Sequence, residues 1–241
     1  MENKEIKKVA ILQSNYIPWK GYFGIIDQVD EFIFFDNMQY TKNDWRNRNK
    51  IKTKLGSLWL TIPCETKGHI IEGRKISETK ITDKRWAKKH WKSICNAYAK
   101  APYFKDYKAY FEKLYKECES EDYLCQVNYK FIVAILKLLN IKTKLRYDKD
   151  YELIEGKTER LIDMLQKAGA THYLSGPSAK DYIDEKLFEK AGIKLLWMDY
   201  SGYKEYPQLF PPFEHNVSIL DLIFNTGEDA IKYIREKEND R

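Results

Sequence analysis

Short apolar runs alternate with helical periodicities along the 241-residue chain. Val9, Ala10, Ile11 and Leu12 form one continuous apolar run, and Phe32, Ile33, Phe34 and Phe35 form another. Runs of this length suit strands buried on both faces of a parallel sheet, and they predict strands over 8–13 and 31–36. Between them Phe23, Ile26 and Val29 share one face of a helix over 22–29, which makes a βαβ unit with a parallel strand pair. A further strand is predicted over 59–63, and a strand or sheet edge over 74–81. From residue 83 the pattern turns helical. Asp83 is placed as an N-cap, and Trp86, His90, Ile94 and Tyr98 fall at helical spacing; a second helix runs from Pro102 to 115 and a third over 122–139. Strands over 143–147, 171–175 and 194–200 then alternate with helices over 158–168, closed by Gly169, and over 179–191. A loop holding Pro207, Pro211 and Pro212 leads into helices over 217–224 and 228–236.

Strand and helix alternate on both sides of the helical block, and no repeat or Gly/Ser linker interrupts the chain. The expected architecture is a single α/β domain over 1–241 with a mostly parallel, Rossmann-like sheet. It carries a helical insertion over roughly 83–140 and C-terminal helices over roughly 217–237. In such sheets ligands bind at the carboxyl ends of the strands, so residues 13–19, 36–48, 175–178 and 200–203 are expected to line one rim and form a composite pocket.

The charge changes this picture little. Lys and Arg total 42 against 36 Asp and Glu, a net charge of +6. The excess is dispersed rather than gathered into a basic stripe, and nucleic acid is not an expected partner. Cys64, Cys95, Cys118 and Cys125 lie far apart with no Cys-x-x-Cys pair or nearby histidines at zinc-ligand spacing. They read as reduced thiols, and no metal is expected. Residues 1–8 lack the apolar core of a leader peptide and no later run is long enough to span a bilayer, so the expected location is cytoplasmic, without membrane insertion. Eighteen tyrosines give the chain many flat faces with a polar tip, suited to sugar, nucleoside or protein contacts.

Two strand ends carry the densest candidate chemistry. The first holds Gln13, Asn15, Tyr16, Trp19 and Gly21. Pro18 presets its backbone, Gly21 permits close approach, and the following helix offers free N–H groups. The layout is similar to that of nucleotidylyl transferases, whose His-x-Gly-His signature holds ATP phosphates. Here Trp19-Lys20-Gly21-Tyr22 stands at that spacing, and the missing histidines weigh against adenylyl transfer. The second strand end holds Asp36, Gln39, Trp45, Asn47 and Arg48: a carboxylate as hydroxyl acceptor or base, amides to read polar edges, an indole to stack, and Arg46 or Arg48 to hold a phosphate. Elsewhere Ser175, Gly176 and Ser178 read as a strand followed by a phosphate-accepting turn. His215 reaches the site only if the proline-rich loop folds back, and Ser218 and Asp221 read as helix caps. His90 lies on an apolar helical face and serves as a catalyst only with a pocket carboxylate beside it. No nucleophile signature is present.

Together, residues 13–23, Asp36 with 47–51, 59–63, Lys89-His90, 173–176, 206–208 and 218–225 resemble the WbqC-like family over nearly the whole chain. The resemblance implies a role in making surface polysaccharide such as O-antigen, beside enzymes of nucleotide-linked amino sugars, and it carries no established catalyst. The expected activity is modification of such a sugar nucleotide by N-acyl or N-aminoacyl transfer, with Asp36 or His90 as base. An ATP-dependent amide ligase, or a non-catalytic sugar-nucleotide-binding or scaffold protein, is the alternative. ATP or an acyl donor is the co-reactant this reading allows, and other pathway enzymes are the macromolecular partners it suggests.

Overall fold

The computed structural model describes residues 5–236, so the first four residues and the expected helix end at 237 lie outside the described residues. The strands are β1 (Lys8–Leu12), β2 (Glu31–Phe34), β3 (Arg48–Thr53), β4 (Gly56–Thr61), β5 (Lys144–Tyr147), β6 (His172–Ser175) and β7 (Lys194–Trp197). The helices are α1 (Lys20–Asp27), α2 (Trp86–Tyr98), α3 (Phe104–Cys118), α4 (Leu124–Leu138), α5 (Thr158–Lys167), α6 (Glu185–Lys190), α7 (Ile219–Thr226) and α8 (Lys232–Arg235).

Five strands form an all-parallel sheet in the order β5-β2-β1-β6-β7. Numbered within the sheet alone this is 3-2-1-4-5, so the direction of winding reverses between β1 and β6. The two-residue period of a strand divides the apolar runs between two cores. Ala10, Phe32 and Phe34 face a large core with α1, α2, α3, α4 and α7, whereas Val9, Ile11, Ile33 and Phe35 face a smaller one with α5 and α6. Glu31 is buried in β2, an inner strand of the sheet, and its carboxylate is matched by Lys7 and Lys144, each at 3.1 Å, and by the Tyr151 hydroxyl at 2.9 Å.

Several predicted elements differ. The strand expected over 59–63 is β4, and it pairs with β3 in a separate antiparallel hairpin rather than with the sheet. β3 carries the sequence Arg-Asn-Lys-Ile-Lys-Thr, too polar to read as a strand, yet Asn49, Ile51 and Lys52 are buried in it. Hydrogen bonding makes that possible: the Lys52 N–H donates to the Tyr98 hydroxyl at 3.0 Å, and its ammonium donates to Gln208 Oε1 at 3.1 Å and to the Pro212 carbonyl. The segment 74–81 holds isolated bridges and a 3-10 turn at Ile76–Glu78 instead of a strand, because the Ile76 and Ser77 N–H groups bond the carbonyls of Met38 and Asp36. The helix expected over 179–191 splits into a 3-10 turn at Pro177–Asp181 and α6, whose own N-cap is Asp184. The helix expected over 228–236 begins as a 3-10 turn at Gly227–Ile231. α2 starts at Trp86 with Arg85 in the N-cap position, while Asp83 two residues earlier accepts from the Arg85 N–H at 3.0 Å.

Ser218 does cap α7, accepting from the Leu220 N–H. Asp221 is no cap but a buried hub. It accepts from the hydroxyls of Tyr98 at 2.8 Å and Tyr206 at 2.7 Å and from the Gln208 amide at 2.8 Å, tying the proline-rich loop and α2 to α7. Burial pushes its carboxyl up and these three donors pull it back. Asp221→Ala removes the acceptor from three buried or half-buried donors, and a loss of about 3 kcal/mol of stability is expected in urea unfolding, with Asp221→Asn losing less.

Candidate functional site

The loop after β1 makes an abrupt turn. Ile17 has φ +36°, a conformation that a β-branched residue before proline adopts only when its surroundings impose it. Here Asn49 of β3 imposes it, its side-chain amide donating to the carbonyls of Tyr16 at 3.2 Å and Ile17 at 2.9 Å. The Pro18 carbonyl accepts from the Ile219 N–H at the start of α7. The turn throws Trp19 back over the first residues of α1. A Cβ on Gly21 would overlap its indole, so Gly21 is the seat of Trp19. Tyr200 packs on the same indole with ring centres 5.2 Å apart.

The loop after β2 returns to the same place. Arg46 donates from its two terminal nitrogens to Asn15 Oδ1 at 2.8 Å and Gln13 Oε1 at 2.7 Å, and the Tyr16 N–H donates to the Trp45 carbonyl at 3.1 Å. Between the two loops lies a cleft of about 250 Å³ lined by Asn15, Pro18, Trp19, Trp45, Asn49 and Asn216. Its wall continues outward: Trp45 lies 5.3 Å from Trp59, and the Arg48 guanidinium sits 4.2 Å over the Trp59 ring. Indole faces with carboxamides between them recognise a ring that is apolar on its face and polar on its edge.

Beneath this rim the ends of β1 and β2 are fastened together. Asp36 is fully buried and accepts from the Ser14 N–H at 2.8 Å and the Ser14 hydroxyl at 2.6 Å. Asn128 of α4 donates to Ser14 Oγ at 3.1 Å and to the Arg46 carbonyl at 3.0 Å. Burial raises the Asp36 carboxyl while hydrogen bonds from Ser14 and Tyr129 lower it. A larger cleft of about 680 Å³ opens on the other side of this junction, at the ends of β2 and β5, and Asn37, Tyr129, Tyr147 and Asp148 help line it.

A family model described as the WbqC-like protein family matches residues 13–233, beginning at the end of β1 and covering both clefts. The chain belongs to the WbqC-like family. It is 49% identical over 230 residues to a Mycobacterium tuberculosis (strain ATCC 25618 / H37Rv) protein called "Uncharacterized protein Rv1507c", which spans 95% of this chain and 98% of that protein. No solved structure matches it.

In this WbqC-like chain the predicted site residues part into groups. Asn15, Trp19 and Trp45 line the tryptophan cleft, Gln13 holds Arg46, and Arg48 backs Trp59. Tyr16 is fully buried, its hydroxyl 2.9 Å from His90 Nδ1 and 2.7 Å from the Tyr115 hydroxyl. His90 is buried as well, its Nε2 lying 3.2 Å from the Thr61 carbonyl, so both ring nitrogens face protein partners; burial lowers its pKa to about 4. Asn47 is buried and donates to the Ile62 carbonyl at 2.9 Å, whereas Gln39 is exposed and donates to the Ile70 carbonyl. Ser175 is buried at the end of β6, Gly176 approaches the Tyr200 hydroxyl, and Ser178 is exposed on the 3-10 turn. His215 packs on Phe213 with ring centres 4.6 Å apart.

Ser14, within the first expected rim segment, and Asn49, Asn216, Asn128 and Tyr129, outside all four, complete this neighbourhood. Asn49 follows Arg48 in the sequence and its polarity was visible; Asn128 and Tyr129 lie on a helix eighty residues further on, with nothing local to mark them. Among the described residues no group of three or more His, Cys, Asp or Glu is placed to hold a metal ion, and no helix is long and apolar enough to cross a membrane.

Two outcomes follow from this geometry. Gly21→Ala is expected to displace Trp19 from α1 and from Tyr200, changing near-ultraviolet circular dichroism while the far-ultraviolet spectrum keeps its shape. Because folding keeps His90 neutral, its contribution to stability is complete above pH 6.5 and is lost as the pH falls from 6.5 towards 4, by about 3 kcal/mol across that window. Urea titrations at stepped pH are expected to follow this slope, and His90→Gln is expected to flatten it.

Proposed function

We propose that this WbqC-like protein acts on a nucleotide-linked amino sugar in the making of a surface polysaccharide precursor, as an acyl or aminoacyl transferase to the sugar nitrogen. The observation that carries the reading is the tryptophan cleft, where Trp19 and Trp45 stand with Asn15, Asn49 and Asn216 around about 250 Å³. Pockets for whole drug-sized ligands are commonly larger, about 300–1,000 Å³, so this one suits a single ring. A sugar presents such a ring, with hydroxyls for the amides and C–H faces for the indoles. The parallel sheet supports the same reading, since in doubly wound, Rossmann-like sheets ligands gather where the winding reverses, and the cleft opens directly after β1.

In this proposal Asp36 and His90 are positioning residues. Amide formation breaks the acyl donor's bond to its leaving group as the unprotonated amine bonds the acyl carbon, the amine proton passing to that leaving group, and a side chain that took part would have to reach the substrate. Asp36 instead holds Ser14 with both oxygens, and His90 holds Tyr16 and Thr61. That same observation favours a second reading, in which the protein binds the sugar nucleotide for other pathway enzymes without changing it.

Titration with a nucleotide-linked amino sugar is expected to change tryptophan fluorescence, and Trp45→Ala is expected to weaken binding about tenfold. Mass spectrometry after incubation with acyl and aminoacyl donors then separates the readings, since saturable binding with no mass change across the donor panel supports the carrier role. Unchanged fluorescence and calorimetry across a panel of nucleotide-linked amino sugars would sink both.

A further inference from the structure

The larger cleft, at the ends of β2 and β5, has a different chemistry from the tryptophan cleft. Its floor carries Asp148, a buried carboxylate that accepts from the Asn37 N–H at 2.5 Å. Backbone N–H groups of Lys149 and Asp36 bond the same carboxylate, and of its roughly four lone-pair sites these three donors leave one for a further hydroxyl. Tyr129, whose hydroxyl bonds Asp36, also lines it. Tyr147 and Tyr151 supply flat faces, and Lys75 and Lys149 supply cations, with Lys149 lying 5.2 Å over the Tyr147 ring. At about 680 Å³ it has room for a base, a pentose and phosphate together.

The two clefts share one foundation. Ser14 and Asp36 are joined by two hydrogen bonds; Asn15, next after Ser14, lines the tryptophan cleft, and Asn37, next after Asp36, lines the larger one. Asn128 belongs to the same network, and Tyr129 beside it lines the larger cleft. β1 and β2 are neighbours, about 4.8 Å apart.

We propose that the larger cleft binds the ribonucleoside phosphate portion of the ligand, with Asp148 accepting from a ribose hydroxyl, Tyr147 or Tyr151 against the base, and Lys75 and Lys149 on the phosphates. A carboxylate at a strand end that takes ribose hydroxyls is a general device of doubly wound sheets, and here the third strand of the sheet supplies it. The inference rests on the reading of the tryptophan cleft as the sugar site, and together they lay one nucleotide sugar across β1 and β2.

The test uses the four ribonucleoside 5′-diphosphates, without sugar, in isothermal titration calorimetry, with the 2′-deoxy counterparts in parallel. At least one ribonucleotide is expected to bind, and its 2′-deoxy form about tenfold more weakly. Asp148→Asn is expected to erase that discrimination. Lys149→Glu, an exposed change that spares the fold, is expected to weaken the ribonucleotide about tenfold and to lessen its salt dependence. Absence of binding by all four diphosphates would overturn the inference. So would a diphosphate whose affinity falls with Trp45→Ala but withstands both Asp148→Asn and Lys149→Glu. In that case the nucleoside occupies the tryptophan cleft, and the proposed function survives with its ligand turned round. A protein that binds neither diphosphates nor nucleotide-linked amino sugars loses both proposals.

Discussion

Everything at the rim of this molecule hangs on the pairing of Ser14 with Asp36. Two neighbouring parallel strands end side by side, and each then sends a long loop off the sheet. Asp36 takes both the N–H and the hydroxyl of Ser14 within 2.8 Å, so the two loops leave from one fixed point. A buried carboxylate is costly unless its oxygens are filled, and here Ser14 and Tyr129 fill them. Asn128 then binds this point to α4 and to the Arg46 carbonyl, which brings the helical insertion under the rim as its support.

From that point the loops are shaped by opposing demands. The first must place an indole over a helix start, which needs the absence of a side chain at Gly21 and a backbone at Ile17 that an isoleucine resists. β3 supplies what holds it, through the Asn49 amide, and β3 is itself secured by Lys50, which meets Glu214 at 2.7 Å, and by the Ser218 N–H on the Lys50 carbonyl. The polar hairpin thus serves as a brace between the first loop and the C-terminal helices. Asp221 closes the brace from the far side by collecting Tyr98, Tyr206 and Gln208. A support of this kind keeps the aromatic and amide groups around the cleft in one geometry.

The WbqC-like family match runs from residue 13 to 233, so it takes in the loop after β1, the hairpin, the helical insertion and the Asp221 hub together. Family membership therefore attaches to the whole braced rim rather than to the sheet alone. The two clefts differ in kind, one of indoles and carboxamides and the other of tyrosines with charges of both signs, and that contrast underlies the proposal that they take different parts of one ligand.

The apolar runs at 9–12 and 32–35, short and separated by a helical periodicity, mark β1 and β2 as strands buried on both faces, which is the pattern of a parallel βαβ pair. The helical periodicity of 86–98 likewise determines α2, and the clustering of amides, tryptophans and arginine at 13–48 marks where the chain departs from what packing requires. Tertiary structure decided what those residues touch. It buried the polar β3, which has only Ile51 to signal a strand, by giving its side chains partners in Gln208 and the loop after β1 and the Lys52 N–H a partner in Tyr98. It also buried Asp36 against Ser14 and His90 against Tyr16, and it brought Asn128 and Tyr129 beneath the loops that carry Ser14 and Arg46. Periodicity reports the local competition between water and core, whereas hydrogen-bond partners distant in the chain leave no trace in it until the fold brings them within three ångströms.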